Sequence, residues 1–221
     1  IGLEWGYEFD HDFAGRCERF GQAGVPFYVC PGTGSWNSLT GRTANALGNI
    51  ASAAENGRND GAIGFLNTDW GDGGHHQYLP ISYLGYAAGA AYSWCRRANA
   101  DIDMEEALTR HVLRDPEGTA GRTLFQMGQV LERIPKRFHN RSPFNDMLFS
   151  SNLDKVLEDV TPAQVRGSLD EFGTLRESLA GISPCVPEAE LLREEMRNGI
   201  DLARVACMRA LHEMGEDVDI S

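Results

Sequence analysis

Three short apolar runs each end in a tryptophan set among carboxylates, amides or hydroxyls, and this repeated pattern constrains the fold more than anything else in the chain. The clusters are Glu4-Trp5-Gly6-Tyr7-Glu8, Cys30-Pro31-Gly32-Thr33-Gly34-Ser35-Trp36-Asn37 and Asn67-Thr68-Asp69-Trp70-Gly71-Asp72-Gly73-Gly74-His75-His76-Gln77. Helical patterns separate them, so residues 1–100 read as alternating strands and helices, which argues for βαβ units and a parallel sheet. In parallel α/β folds the strand C-termini open onto one face, where ligands bind. The three clusters are therefore expected to form one site.

Strands are expected at Ile1 to Tyr7, Val25 to Cys30 and Ala62 to Leu66. Asp12 is a plausible cap for a helix through Phe13, Cys17 and Phe20, closed by Gly21 and Gly24. Leu47, Ile50, Ala51 and Ala54 mark the face of a second helix ending near Gly57, and Pro80 opens an Ala/Gly-rich third one through Trp94. From about Asp101 the pattern becomes charged and amphipathic, with no further strand signal. Helices are expected over Met104 to Leu113, Gly118 to Ile134, Thr161 to Leu179 and Pro187 to Met214. The Asp/Glu-rich tail from Glu213 to Asp219 reads as a solvated terminus.

Three parallel strands cannot close a barrel, and they leave two edges that a stable monomer must hide. The fold class is accordingly α/β: about three βα units forming the C-terminal portion of a (β/α)8 barrel over residues 1–100, then an all-helical C-terminal domain over residues 101–221. The remaining strands are expected upstream of Ile1 or on a partner chain, and an isolated chain with open edges is expected to associate.

The net charge of −12 argues against a phosphate-backbone partner, so nucleic acid is not expected. No apolar stretch reaches the length of a membrane span. The five cysteines have no CxxC spacing, so neither a disulfide framework nor a thiolate zinc site is expected. No signal peptide is legible. The chain starts at Ile1 rather than Met and enters a strand pattern at once, so the true N-terminus is expected upstream and the compartment stays open, with the cytoplasm favoured.

Trp beside carboxylates and amides suits a sugar, whose C–H faces stack on aromatic rings while its hydroxyls want paired acceptors. Trp5, Trp36 and Trp70 are read as ligand walls, against the alternative of rim packing; Trp94, inside a helix, reads as core. Asp72 is favoured as a hydroxyl acceptor. With Asp69 it is also a possible acid–base pair, and Asp69 alone can cap loop amides. Asp69, Asp72, His75 and His76 are weighed as a metal site, but their spacing is not a known ligand motif, and the two His read as rim hydrogen-bonders or loop anchors. Glu4 and Glu8 would share one strand face with Tyr7 on the other, Asp10 and His11 read as surface, and Arg42 and Asn45 as loop anchors. No nucleophile elbow, Walker loop or dinucleotide fingerprint occurs, and neither cofactor nor resident metal is expected.

At these clusters the chain resembles the C-terminal part of the catalytic barrel of glycoside hydrolase family 20, the β-N-acetylhexosaminidases. The likeness is specific over Pro31 to Arg42 and Gly61 to Gln77 and extends over about Leu3 to Trp94. It implies removal of terminal N-acetylhexosamine with retention, the substrate acetamide acting as nucleophile. Trp5, Trp70 and Asp72 match the sugar-walling tryptophans and the hydroxyl-binding acid of that family. Trp36-Asn37 stands where the family has the tyrosine that steadies the acetamide, so Tyr7 or Asn37 is expected to replace it. The Asp-Glu pair that orients the acetamide and protonates the leaving oxygen has no match here. The resemblance therefore implies a chain that supplies substrate-binding residues, Trp5, Tyr7, Trp36, Asn37, Asp69, Trp70, Asp72 and His75, and no catalytic acid, and that is inactive alone. The alternatives are a non-catalytic carbohydrate-binding protein and a metal-dependent hydrolase.

Overall fold

In the computed structural model, which describes residues 1–116 and 118–218, the chain opens with three consecutive βα units. They are β1 (Gly2–Trp5), α1 (Phe13–Gln22), β2 (Phe27–Cys30), α2 (Thr43–Asn59), β3 (Gly64–Phe65) and α3 (Leu79–Cys95). The strands are parallel in the order β1-β2-β3, with Leu3 opposite Tyr28 and Tyr28 opposite Gly64. Each is shorter than its apolar run predicts, because only the segments in register make ladder bonds. The Asp12 carboxylate caps α1 by accepting from the Gly15 amide at 2.9 Å, and Pro80 sits in the first turn of α3, where its missing N–H costs nothing.

Alternation along the strands gives the sheet two unlike faces. Phe27 and Val29 point at the helices and form a small core with Phe13, Cys17 and Ala53. Leu3 and Trp5 point the other way and are 54 % and 61 % exposed. Parallel sheets normally carry cover on both faces. Here one is covered and the other is open along β1 although Cys30 on it is buried, and among the described residues no further strand pairs with the outer edge of β1 or β3.

The larger core begins on α2 and α3, at Ile50, Ile81, Leu84 and Ala88, and runs without a break into the helices beyond residue 101. Those helices are α4 (Met104–Ala107), which continues as a π-helical turn over Leu108–Leu113, α5 (Ala120–Met127), α6 (Pro143–Phe149), α7 (Leu153–Leu157), α8 (Pro162–Ser178) and α9 (Ala189–Glu213). Thr161 and Gln164 form a reciprocal capping box at the start of α8. Along α9, Met196, Ile200, Ala203, Cys207 and Leu211 lie fully buried, facing α8 and α6. The helix expected over Gly118 to Ile134 is interrupted after α5, because the Gly128 carbonyl leaves the helix to accept from the Thr43 amide at 3.0 Å. That bond satisfies one of the free amides at the start of α2. Among the described residues no helix is long and apolar enough to cross a membrane.

The two sheet faces should respond differently to truncation. Phe27→Ala, at 1 % exposure, should cost about 3–5 kcal/mol, whereas Leu3→Ala should change stability by no more than about 0.5 kcal/mol. Urea titration of both variants checks this, and equal losses would mean that the Leu3 face is covered.

Candidate functional site

The backbone pairing of β2 and β3 continues past their ends and sets the second and third clusters side by side. Gly32 bridges Thr68, the Thr33 amide donates to the Thr68 carbonyl at 2.9 Å, and the Thr68 amide donates to the Pro31 carbonyl at 2.9 Å. Gly32 is there because rings cross it: a Cβ would lie 2.3 Å from the Trp36 ring and 3.0 Å from Tyr7. Tyr7 is the centre of the resulting aromatic group. Its ring is 5.6 Å from Trp5 and stacked on it at an inclination of 29°, 5.0 Å from Trp36 and edge-on, and 6.3 Å from Trp70. These are attractive arrangements for aromatic quadrupoles. Trp5 and Trp70 are 61 % and 45 % exposed while Trp36 is 1 % exposed, so Trp36 is a floor and the other rings offer an open surface. Burial lifts the Tyr7 phenol above its ordinary pKa, further from ionisation at physiological pH, where it is a neutral donor. The Asp72 charge adds a small part of that rise.

The loop after β1 that presents Tyr7 is fixed by buried polar groups. One guanidinium nitrogen of Arg42, at the start of α2, reaches both oxygens of Glu8 at 2.9 and 2.7 Å. The Asn49 side chain donates to the carbonyls of Gly6 and Glu8 and accepts from the Gly32 amide. Asn45 donates to the Tyr7 carbonyl at 2.7 Å. Arg42 and Asn45 are therefore anchors, but of the first loop, not of the loop they follow. β1 ends before Glu8, so Glu4 and Glu8 do not share a strand face. Glu4 is buried against His11 at 2.9 Å, which makes His11 a packed partner instead of a surface residue.

The segment before α6 closes the same knot from the helical half. The Asn140 amide donates to Glu8 Oε1 at 2.8 Å, and its side-chain oxygen accepts from Trp36 Nε1 at 2.9 Å. Its carbonyl accepts from Asn37 Nδ2 at 3.3 Å, and the Ser142 amide donates to the Asn37 carbonyl at 2.9 Å. Both asparagines are left-handed, with φ of 50° at Asn37 and 57° at Asn140, a conformation asparagine tolerates better than most residues. Asn49 and Asn140 escaped the sequence reading, since isolated asparagines far from the clusters carry no pattern.

Asp69 is an acceptor hub. Its Oδ1 accepts from Thr33 and from Ser35, the latter at 2.6 Å, and its Oδ2 accepts from Ser82 at 2.9 Å and Tyr86 at 2.8 Å. Burial pushes this carboxyl up, but the hydroxyls of Ser35, Thr33, Tyr86 and Ser82 outweigh it and hold the pKa below the usual value. Tyr86 is pushed up to about 12 by burial and by its bond to Asp69.

Three expected contacts are corrected by these positions. Trp36 is sealed beneath Tyr7 and cannot be a ligand wall. Asp69 has its four acceptor positions filled by hydroxyls, which leaves none for a ligand and also replaces the expected amide capping. Asn37 is committed to Asn140, with Gly73 so close that a Cβ would lie 2.6 Å from Asn37 Oδ1. Trp5, Tyr7 and Trp70 remain together at the open strand ends, with Asp72 two residues beyond Trp70 in the following turn. His75, exposed and with φ of 56°, folds back over Gly71, while His76 stacks on Phe149 at 4.1 Å. Trp94 is 90 % exposed at the far end of α3, so it is not core. Among the described residues no group of three or more His, Cys, Asp or Glu side chains is placed to hold a metal ion.

Comparison of the sequence with known protein families and with curated proteins finds no match.

Because the Asp69 pKa is lowered by folding, its stabilisation is complete above the unfolded value of about 3.9 and is lost as pH falls through that value toward the folded one. Asp69→Asn should therefore cost about 1 kcal/mol at pH 6, the low end for a charged hydrogen-bond centre that is only partly buried, and less at pH 3. Urea midpoints of the two proteins across that range test the point. A gap that stays constant with pH would mean that the charge of Asp69 stabilises nothing.

Proposed function

We propose that this chain is the C-terminal part of the (β/α)8 barrel of a β-N-acetylhexosaminidase-like glycosidase, joined to a helical extension that braces the sugar pocket. The observation that carries the reading is the open aromatic surface of Trp5, Tyr7 and Trp70 at the C-terminal ends of parallel strands, with Asp72 two residues beyond Trp70 in the loop that follows. Aromatic faces and a free carboxylate are the two halves of pyranose recognition, one for the C–H surface and one for the hydroxyls. The uncovered sheet face and its two open edges support a barrel completed by further strands, from a preceding segment or a partner chain.

In this reading Trp5 and Trp70 wall the sugar and Asp72 accepts from its hydroxyls. Tyr7, neutral and central, donates to the acetamide oxygen and holds the group for attack on the anomeric carbon. Asn37 already donates to the Asn140 carbonyl at 3.3 Å, which favours Tyr7 over it for that role. Asp69, Trp36 and Glu8 are positioning residues. The acid that protonates the leaving oxygen is supplied by the rest of the barrel.

The test is hydrolysis of a nitrophenyl N-acetylglucosaminide and its galactosaminide by the whole reading frame that contains this chain. Wild type should turn over, and Asp72→Ala should lower kcat/KM by about tenfold to a hundredfold, the loss of one or two charge-assisted hydrogen bonds. Turnover unaffected by Asp72→Ala would remove Asp72 from the pocket. Binding of the sugar without turnover would favour a non-catalytic carbohydrate-binding protein.

A further inference from the structure

The adjacent histidines His75 and His76 have no part in the reading above, yet they follow directly on the turn that carries Asp72. Residues 71–76 are exposed, and among the described residues no hydrogen bond joins them to the rest of the chain. The loop is closed at its base, where the buried Gln77 side chain donates to the Trp70 carbonyl at 2.7 Å. Its backbone turns through three left-handed residues in succession, with φ of 70° at Gly73, 113° at Gly74 and 56° at His75. An exposed loop of this composition has few contacts to order it, so its shape depends on whichever side chains reach it.

Each of its three glycines is crossed by one. A Cβ on Gly71 would lie 2.6 Å from His75 Nδ1, one on Gly73 2.6 Å from Asn37 Oδ1, and one on Gly74 2.8 Å from His76 Nε2. His75 belongs to the loop and ties it only to itself. Asn37 reaches it from the second cluster and is held in turn by the Asn140 carbonyl. His76 reaches outward: its ring stacks on Phe149, the last residue of α6, with centroids 4.1 Å apart and planes 22° from parallel. The imidazole is thus packed between the Gly74 backbone on one side and the helical half on the other. The Asp72 carboxylate makes no hydrogen bond or ion pair among the described residues, so the turn alone decides where it stands.

We propose that His76 and Phe149 are positioning residues whose stack holds the Asp72 turn in one conformation at the end of the strand that leads to Trp70. That the carboxylate is held there to accept from a hydroxyl of N-acetylhexosamine rests on the reading above; the restraint itself does not. The role requires an aromatic plane at both positions. It gives the helical half a second hold on the strand-end loops, separate from the one at Asn140.

Measurement of 15N relaxation in the chain, followed by titration with N-acetylglucosamine, tests this. In wild type the amides of Asp72, Gly73 and Gly74 should have order parameters of about 0.85, and in His76→Ala and Phe149→Ala these should fall to about 0.6 or below. Affinity for N-acetylglucosamine should fall about threefold to tenfold in both, the range for loss of one aromatic stack. His76→Phe and Phe149→Tyr preserve a ring pair and should keep both order and affinity. His76 is exposed and Phe149 is 49 % exposed, so all four variants should fold, and an unmoved indole signal from the buried Trp36 checks that they do. Low order parameters in wild type, no change in either alanine variant, or lost order with unchanged affinity would overturn the proposal. Loosening of the turn by Phe149→Ala in a chain that binds no N-acetylglucosamine even as wild type would uphold the restraint and overturn the pocket reading alone.

Discussion

Glu8 carries a negative charge into a place where its side chain is only 8 % exposed, and the geometry around it follows from the need to keep that charge satisfied. A buried carboxylate is costly without a partner, and removing one member of such a pair usually costs more than the pair contributes. Glu8 is met by Arg42 from the start of α2 and by the Asn140 amide from the helical half, so three segments far apart in sequence must meet at one carboxylate. Tyr7, one residue earlier, has its orientation set by the same knot. Because Asn140 also holds Trp36 Nε1, the floor of the aromatic surface and the ion pair beneath it share an anchor.

This explains how a chain with a modest, open sheet presents rings so specifically. The sheet contributes the register that brings Gly32 beside Thr68, and glycine at 32 lets Trp36 and Tyr7 lie across the backbone. The hydroxyl network on Asp69 then ties the second cluster to α3 through Ser82 and Tyr86. The helical half is part of the site's scaffold as well as an extension of the core, since the 137–142 segment makes bonds to Asp10, Glu8, Trp36 and Asn37.

Much of the skeleton was legible in the sequence. Asp12 and the pair Thr161-Pro162 announce helices through local chemistry, and the apolar runs mark three strands, although the ladder uses only their central parts. Ser142-Pro143 carries the same start signal as Thr161-Pro162, yet α6 was missed because its seven residues are too few to show a helical period. The meeting of the three clusters followed from parallel topology, but the division of labour within them did not. Trp5 and Trp36 look alike in sequence; what separates them is Asn140, more than a hundred residues beyond Trp36. Asp69 and Asp72 are likewise indistinguishable until Ser82 and Tyr86 arrive from α3 to fill the acceptors of one of them. Tertiary contacts of this kind leave no periodic trace.

The central claim is that the strand-end aromatics are a sugar surface, and the four tryptophans make it directly measurable. In a titration with N-acetylglucosamine followed by 1H–15N NMR, the indole N–H signals of Trp5 and Trp70 should move with a common saturation curve. Those of Trp36, hydrogen-bonded under Tyr7, and of Trp94, at the distant end of α3, should move far less. Shifts confined to Trp94, or no shift at any indole, would contradict the account.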